Sequence, residues 1–276
     1  MVKTGRRPTL FLFLTALAAL GAGPLISQAN TVPPGSLVRW PGENIQRCGL
    51  DGRLWAPRQG ACWYPVDLLA TGSIVLDRWR QSGEETRVLE IAEYPYDVQH
   101  IELKDDTHVN LSPENVARSQ RESAQVGTRW PSEREAGFDL PLSPPLEQLP
   151  AGGRFGARRV INGEPRSPHT GSDYAADEGT AVLSVAAGEV VLADEHFFAG
   201  NSVFVDHGDG LISMYFHLSR IDVARGDEVS RGQKLGTVGA TGRATGPHLH
   251  FGLRWHGQRV DPSQLLGDPD NVRRID

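Results

Sequence analysis

In the stretch GRATGPHLHFG, from Gly242 to Gly252, two histidines at i and i+2 follow a glycine-rich loop. In a strand, alternate side chains share a face, so His248 and His250 aim at one spot while Leu249 turns away. Upstream, SPHTGSDYAA sets His169 and Asp173 four residues apart, and LISMYFHLS carries His217 near its end. Imidazole and carboxylate are the donors that a borderline cation such as Zn²⁺ takes. A catalytic zinc uses three protein ligands and keeps a position open for water. Five candidates therefore exceed the ligand demand by two. The glutamate base of His-Glu-x-x-His is absent, so in a hydrolase a histidine is left to handle the proton. Taken singly, each residue has a plainer reading. His169 and Asp173 fit a surface histidine beside an acid, and His217 fits a satisfied core or edge residue. His207 reads as a turn histidine bonding its own loop, while His196 and His256 sit in loop-like settings without a motif. His100 and His108 lie in the first half of the chain and carry no motif either.

The elements that must position these residues are short strands. TAVLSVA, GEVVLAD, NSVFVDHGDGLISMYFHLS, GQKLGTVG and HLHFGLRWHGQRVDP are apolar runs separated by glycine turns. Closely spaced strands with little helix between them predict an antiparallel β-sheet domain over residues 153–276. Asp206 to Gly210 reads as a hairpin connection, and His256-Gly257-Gln258 as a second turn. The segment 30–125 is also β-rich, with strands expected in SIVLDRW, TRVLEIAEY and VQHIELK. Ser112-Pro113-Glu114 is a helix start, a capping serine followed by proline at the first helical position, and the helix should run to about Gln125. Between the two domains, residues 126–152 hold Pro141, Pro144, Pro145 and Pro150 and predict a stiff extended linker. The fold class is therefore mainly β, a smaller N-terminal domain with one helix preceding an antiparallel sheet domain.

Lys3, Arg6 and Arg7 precede an apolar run from Leu10 to about Ile26, and Ser27-Gln28-Ala29 fits a small-x-small cleavage site. Residues 1–29 thus read as a secretory signal peptide, with no stable membrane insertion once it is removed. That segment holds three basic residues and no acids, so its loss takes the formal charge from −6 to −9. A chain this acidic lacks the positive surface that nucleic-acid binding needs. Cys48 and Cys62 are the only cysteines, and in an exported chain they are expected to pair. Closing that loop contributes roughly 3 kcal/mol.

HTGSD, then VFVDHGDGLISMYFHLS, then VARGDEVSRGQKLGTVGATGRATGPHLHFGLR closely resembles the lysostaphin/LytM family of zinc metallopeptidases, over about residues 153–265. The resemblance implies that His169, Asp173 and His250 bind one Zn²⁺ per chain, and that His217 and His248 are the catalytic histidines. It implies an open-groove β domain acting on peptidoglycan peptide stems in the periplasm or outside the cell. CWYPVDLL and HVNLSPENVARSQRE are similar to the leader domain of proteobacterial periplasmic members, and no wall-binding module is recognisable after residue 265. Both features favour a D,D-endopeptidase of D-alanyl–diaminopimelate cross-links over a glycine-bridge cutter. The alternative within the family is a catalytically silent adaptor of other wall hydrolases. VARGDEVSRGQKLG also resembles the hairpin of biotinyl and lipoyl carriers, but Lys234 lacks their motif. The N-terminal domain is expected to be a folding or wall-docking module, or else it or the linker is expected to lie over the groove and hold the enzyme latent. Arg158 and Arg159 offer a partner for a substrate carboxylate, although neither belongs to the motif.

Overall fold

Along the strand His248–Trp255, Leu249, Phe251, Leu253 and Trp255 are buried in the main core, which places His248 and His250 on the opposite face. This strand sits in a nine-stranded sheet. On one side it pairs antiparallel with the edge strand Gly171–Ala175, and on the other with the long strand Leu211–Ile221. Gly200–Asp206 and Gly188–His196 continue the sheet by antiparallel hairpins. The computed structural model describes residues 30–103, 106–128 and 134–276, so the signal-peptide reading of residues 1–29 lies outside the described residues. Among the described residues no helix is long and apolar enough to cross a membrane.

The architecture is mainly β, as the patterning predicts. The hairpin at Asp206 to Gly210 forms between its expected strands. At the second turn His256 and Gly257 both take positive φ, 48° and 80°, the geometry that a two-residue hairpin favours. The helix spans Pro113–Gly127, and the Ser112 side chain accepts from the Asn115 amide. Val126 packs on a small cluster of Leu192, Phe204, Ile212 and Met214 on the outer face of the large sheet. The N-terminal strands form a separate five-stranded sheet and a three-stranded sheet around a second core that includes Trp40, Trp55 and Tyr64. The Cys48–Cys62 disulfide joins the strands Ile45–Leu50 and Ala61–Pro65.

The proline-rich segment departs from expectation. From residue 134 to 150 it has no helix or strand, as its prolines require, yet it does not span solvent. Phe138, Leu140, Leu142 and Leu146 are buried in the main core, and the Phe138 ring meets Trp255 edge-on at 5.8 Å. Backbone hydrogen bonds tie Leu142 to Leu265 and Ser143 to Val185. The reason is composition: leucines and a phenylalanine between the prolines supply apolar area that the sheet can cover. The segment is a packed strap.

Three further contacts cross the expected boundary. Trp63 and Trp255 lie 6.2 Å apart in the main core. The strand Val98–Ile101 pairs in parallel with Arg158–Ile161. The strand Arg273–Arg274 pairs in parallel with Leu37–Pro41, and Ile275 enters the N-terminal core. The two lobes therefore share strands and side chains. Phe138→Ala should destabilise the chain by about 3–5 kcal/mol, as for other buried aromatic truncations. Denaturant unfolding of the variant checks this, and a loss under about 1 kcal/mol would mean the strap is peripheral.

Candidate metal centre

Sheet register brings the candidate ligands together. Asp173 lies directly opposite His250, and Phe216 lies opposite His250 on its other side. Directly opposed residues of antiparallel strands share a face, so carboxylate, imidazole and phenyl ring form one row. The Phe216 ring stacks on His250 at 5.1 Å and 6°. Gly171, near the start of the edge strand, leaves room for the imidazole: a Cβ there would lie 2.6 Å from His250 Nε2. His169 reaches the row from the preceding loop. Its backbone pairs with Gly156 and Ala157, and its Nδ1–H donates to the Arg154 carbonyl at 2.9 Å.

Three donor atoms converge. His169 Nε2 is 2.8 Å from His250 Nδ1 and 2.9 Å from Asp173 Oδ1, and His250 Nδ1 is 2.9 Å from the same oxygen. Because a carbonyl can only accept, His169 carries its proton on Nδ1 and presents a bare lone pair at Nε2. Burial pushes the His169 imidazole down to about 4, against the pull of Asp173, which keeps it neutral. Burial alone would raise the Asp173 carboxyl, but contact with His169 and His250 outweighs it and holds the group well below the usual carboxylate range. At most one proton thus lies among three acceptor atoms, and a divalent cation would satisfy all three. Tetrahedral zinc with bonds of about 2.0–2.1 Å spaces its donors about 3.3 Å apart, so a shift of a few tenths of an ångström admits the ion. The His-Asp-His group fits a metal.

His217 arrives by a different device. Strict alternation would send it to the face opposite Phe216. Two residues, Phe216 and His217, stand opposite the single Ser202 in the register between the two central strands, and His217 has φ of 64°. This bulge turns the imidazole to the metal side, where its ring centre lies 4.8 Å from that of His248 and 6.1 Å from that of His250. The glycine-rich loop orients both extra histidines. His217 Nδ1 donates to the Thr241 carbonyl and His248 Nδ1 to the Gly246 carbonyl, each at 2.8 Å. That leaves both Nε2 atoms as acceptors, with His248 Nε2 3.8 Å from Asp173 Oδ1. Burial, then the nearby His250 and His248, push His217 down to about 3.

All five sequence-derived candidates therefore meet in one place. Three of them, Asp173, His217 and His248, line an open cleft of about 590 Å³. Gln99, Ile101 and Leu103 of the N-terminal lobe form part of its wall. Asn162 holds Leu103 there by hydrogen bonds to both its amide and its carbonyl. One contributor was not assigned from sequence: Arg159 Nη2 binds Asp173 Oδ2 at 3.0 Å. Arg159 thus holds the Asp173 carboxylate in place, and Arg158 lies over the Tyr94 ring instead. The other histidines of this lobe are structural. The His207 amide closes its own turn to the Leu211 carbonyl, while its ring is fully buried between the Ala187 carbonyl and the Ser213 hydroxyl. His196 closes a strand and bonds the Ser202 hydroxyl, and His256 stacks on Trp55 at 4.2 Å.

Residues 167–262, which contain all five, match the model of peptidase family M23. The peptidoglycan DD-endopeptidase ShyA of Vibrio cholerae is 46% identical over 95 residues, covering 34% of this chain and 22% of that protein. The DD-carboxypeptidase/endopeptidase Mpg of Neisseria meningitidis is 45% identical over 103 residues, covering 37% of this chain and 24% of that protein. The chain thus spans about a quarter of the length of these relatives. A crystal structure from Pseudomonas aeruginosa assigned to peptidase M23 is 32% identical with a TM-score of 0.61, covering 85% of this chain and 94% of that one. The likeness therefore extends through both lobes as well as the ligand-bearing segment, and this chain belongs to peptidase family M23.

Proposed function

We propose that this protein is an exported, zinc-dependent peptidoglycan hydrolase, a D,D-endopeptidase that cleaves D-alanyl–diaminopimelate cross-links in the periplasm or outside the cell. The observation that carries the reading is the convergence of His169 Nε2, Asp173 Oδ1 and His250 Nδ1 within 2.9 Å of one another, beside two further imidazoles on an open cleft. The names of the relatives support the choice of bond.

One Zn²⁺ held by these three residues would supply an activated water and polarise the scissile carbonyl. The protein's own groups do the rest. Arg159 occupies Asp173 Oδ2, so the carboxylate offers only Oδ1 inward. His248 and His217, fixed through Nδ1, present Nε2 as proton acceptors and take the proton released as the nucleophile forms. The imidazolium so made donates to the departing amine, or to the oxyanion of the tetrahedral intermediate. An open cleft suits a flexible peptide strand joined to a polymer. Gln99, Ile101 and Leu103 of the N-terminal lobe line this cleft, which supports locating any latency of the full chain there.

Digestion of purified sacculi by the chain from residue 30 should convert cross-linked dimers to monomers, and a chelator should abolish it. Mass spectrometry of the released fragments reads the bond. No release by folded, zinc-loaded protein would move the assignment to a silent adaptor. Loss of His250 should remove both zinc and activity, whereas His248→Ala should remove activity and leave zinc bound. Equal zinc loss in the two variants would defeat this division of roles. Arg159→Ala should weaken zinc affinity by about 10–100-fold through the freed Asp173 carboxylate. Competition with a metal indicator measures it, and wild-type affinity would make Arg159 a bystander.

A further inference from the structure

The cleft beside the metal centre is positively charged in an otherwise acidic protein. Arg154, Arg159 and Arg243 line it, and among the described residues Asp173 is the only carboxylate in its lining. Asp173 is already committed to Arg159 and to the two imidazoles. Arg243 is different. It belongs to the same glycine-rich loop as His248, and its backbone amide is pinned to the Phe198 carbonyl at 2.9 Å. Its guanidinium lies 4.6 Å from the centre of the Phe198 ring. No carboxylate, carbonyl or hydroxyl of the described residues hydrogen-bonds that guanidinium, while most arginines around it have such a partner. Arg166 bonds the Val109 carbonyl and Arg118 pairs with Glu122.

The surroundings make this costly. Burial, then the charges of Arg159 and Arg166, push the Arg243 group down to about 10, still cationic at neutral pH. A stacked guanidinium keeps its in-plane N–H donors in a rigid fork that matches a carboxylate. The loop therefore holds an unspent anion-binding group at the mouth of the reaction centre, in a cleft whose described residues leave no acid to neutralise it.

We propose that Arg243, with Arg154 on the same cleft, forms a subsite for a substrate carboxylate borne by the residue that supplies the scissile nitrogen. The inference rests on the peptidoglycan reading above and sharpens it. In a D-alanyl–diaminopimelate cross-link the carbon bearing the acylated amine also bears a free carboxylate, so the charge sits one atom from the nitrogen to be released. A glycine bridge carries no such group. The subsite would orient the leaving side of the amide, and it would make the enzyme select carboxylate-bearing cross-links over those whose carboxyl is amidated.

Two cross-linked peptide dimers test this, identical except that the carboxyl on the cross-linked carbon is free in one and a carboxamide in the other. For each, kcat/KM and the Kd measured by calorimetry are determined with wild type, R243Q and R243K, with zinc content and thermal melting checked alongside. Wild type should favour the carboxylate by about 10-fold or more in kcat/KM, the worth of one charge-assisted hydrogen-bonded pair. R243Q should bring the ratio close to one, and R243K should retain part of it. Equal use of both peptides by wild type overturns the subsite whatever the variants do, as does a preference that survives R243Q. The two levels of inference separate cleanly. If both peptides are cleaved without discrimination, the endopeptidase reading stands and the subsite falls. If neither is cleaved but R243Q abolishes carboxylate-dependent binding, the subsite stands and the assigned bond falls.

Discussion

Three main-chain carbonyls govern the reactive end of this molecule. Those of Arg154, Thr241 and Gly246 each take the Nδ1–H of one histidine, His169, His217 and His248 respectively. An imidazole has two nitrogens and, when neutral, one proton, so fixing the proton on one side fixes a lone pair on the other. Much of the local structure keeps those carbonyls in place. Arg154 adopts φ of 64° in a turn closed by the Ala157 amide. Thr241 is clamped by its hydroxyl, which donates to the Leu218 carbonyl and accepts from the Asn201 amide. Gly242 passes so close to Gly200 that a Cβ would lie 2.3 Å from its amide nitrogen, which explains the glycine in that loop. Two side-chain contacts come afterwards: Arg159 tethers the carboxylate, and His250 faces the same point through Nδ1.

The second organising fact is that the lobes are built into each other. The strap of residues 138–146 fills the space beside Trp255, Trp63 reaches in from the N-terminal lobe, and Asp67 holds Arg259 by its side chain and its amide. Consequently the wall of the cleft that comes from Gln99, Ile101 and Leu103 is carried on a framework continuous with the metal site. A cleft assembled from both lobes keeps its width only while they stay joined.

Much of this was legible in the residues themselves. HLHFGLRW alternates cleanly, so the shared face of His248 and His250 followed from strand geometry alone. Ser112-Pro113 marked the start of the helix because capping is a local interaction. What escaped notice depends on non-local pairing. GSDYA has no alternation that marks a strand, and it becomes one because it lies against His248–Trp255, a register that sets Asp173 opposite His250. The bulge at His217 is equally silent, since LISMYFHLS gives no turn residue where φ becomes positive. From sequence Arg159 offers itself only to a substrate carboxylate, and the parallel and antiparallel partners of its strand bring it to Asp173. The proline-rich stretch differs from its pattern for a related reason. Prolines forbid regular hydrogen bonding but say nothing about whether the leucines between them find a core.

The pairing of Arg273–Arg274 with Leu37–Pro41 has a consequence for how the molecule comes into being. Arg273 also donates to the Thr31 carbonyl, 242 residues away in the chain. During synthesis the first lobe emerges long before its third neighbouring strand, and Ile275 is missing from its core until then. Contacts of such long range are slow to form and leave strand edges open in the meantime. The order of manufacture and the order of completion therefore run in opposite directions. The N-terminal lobe thus reaches its finished architecture only after Arg273 to Ile275 have been delivered.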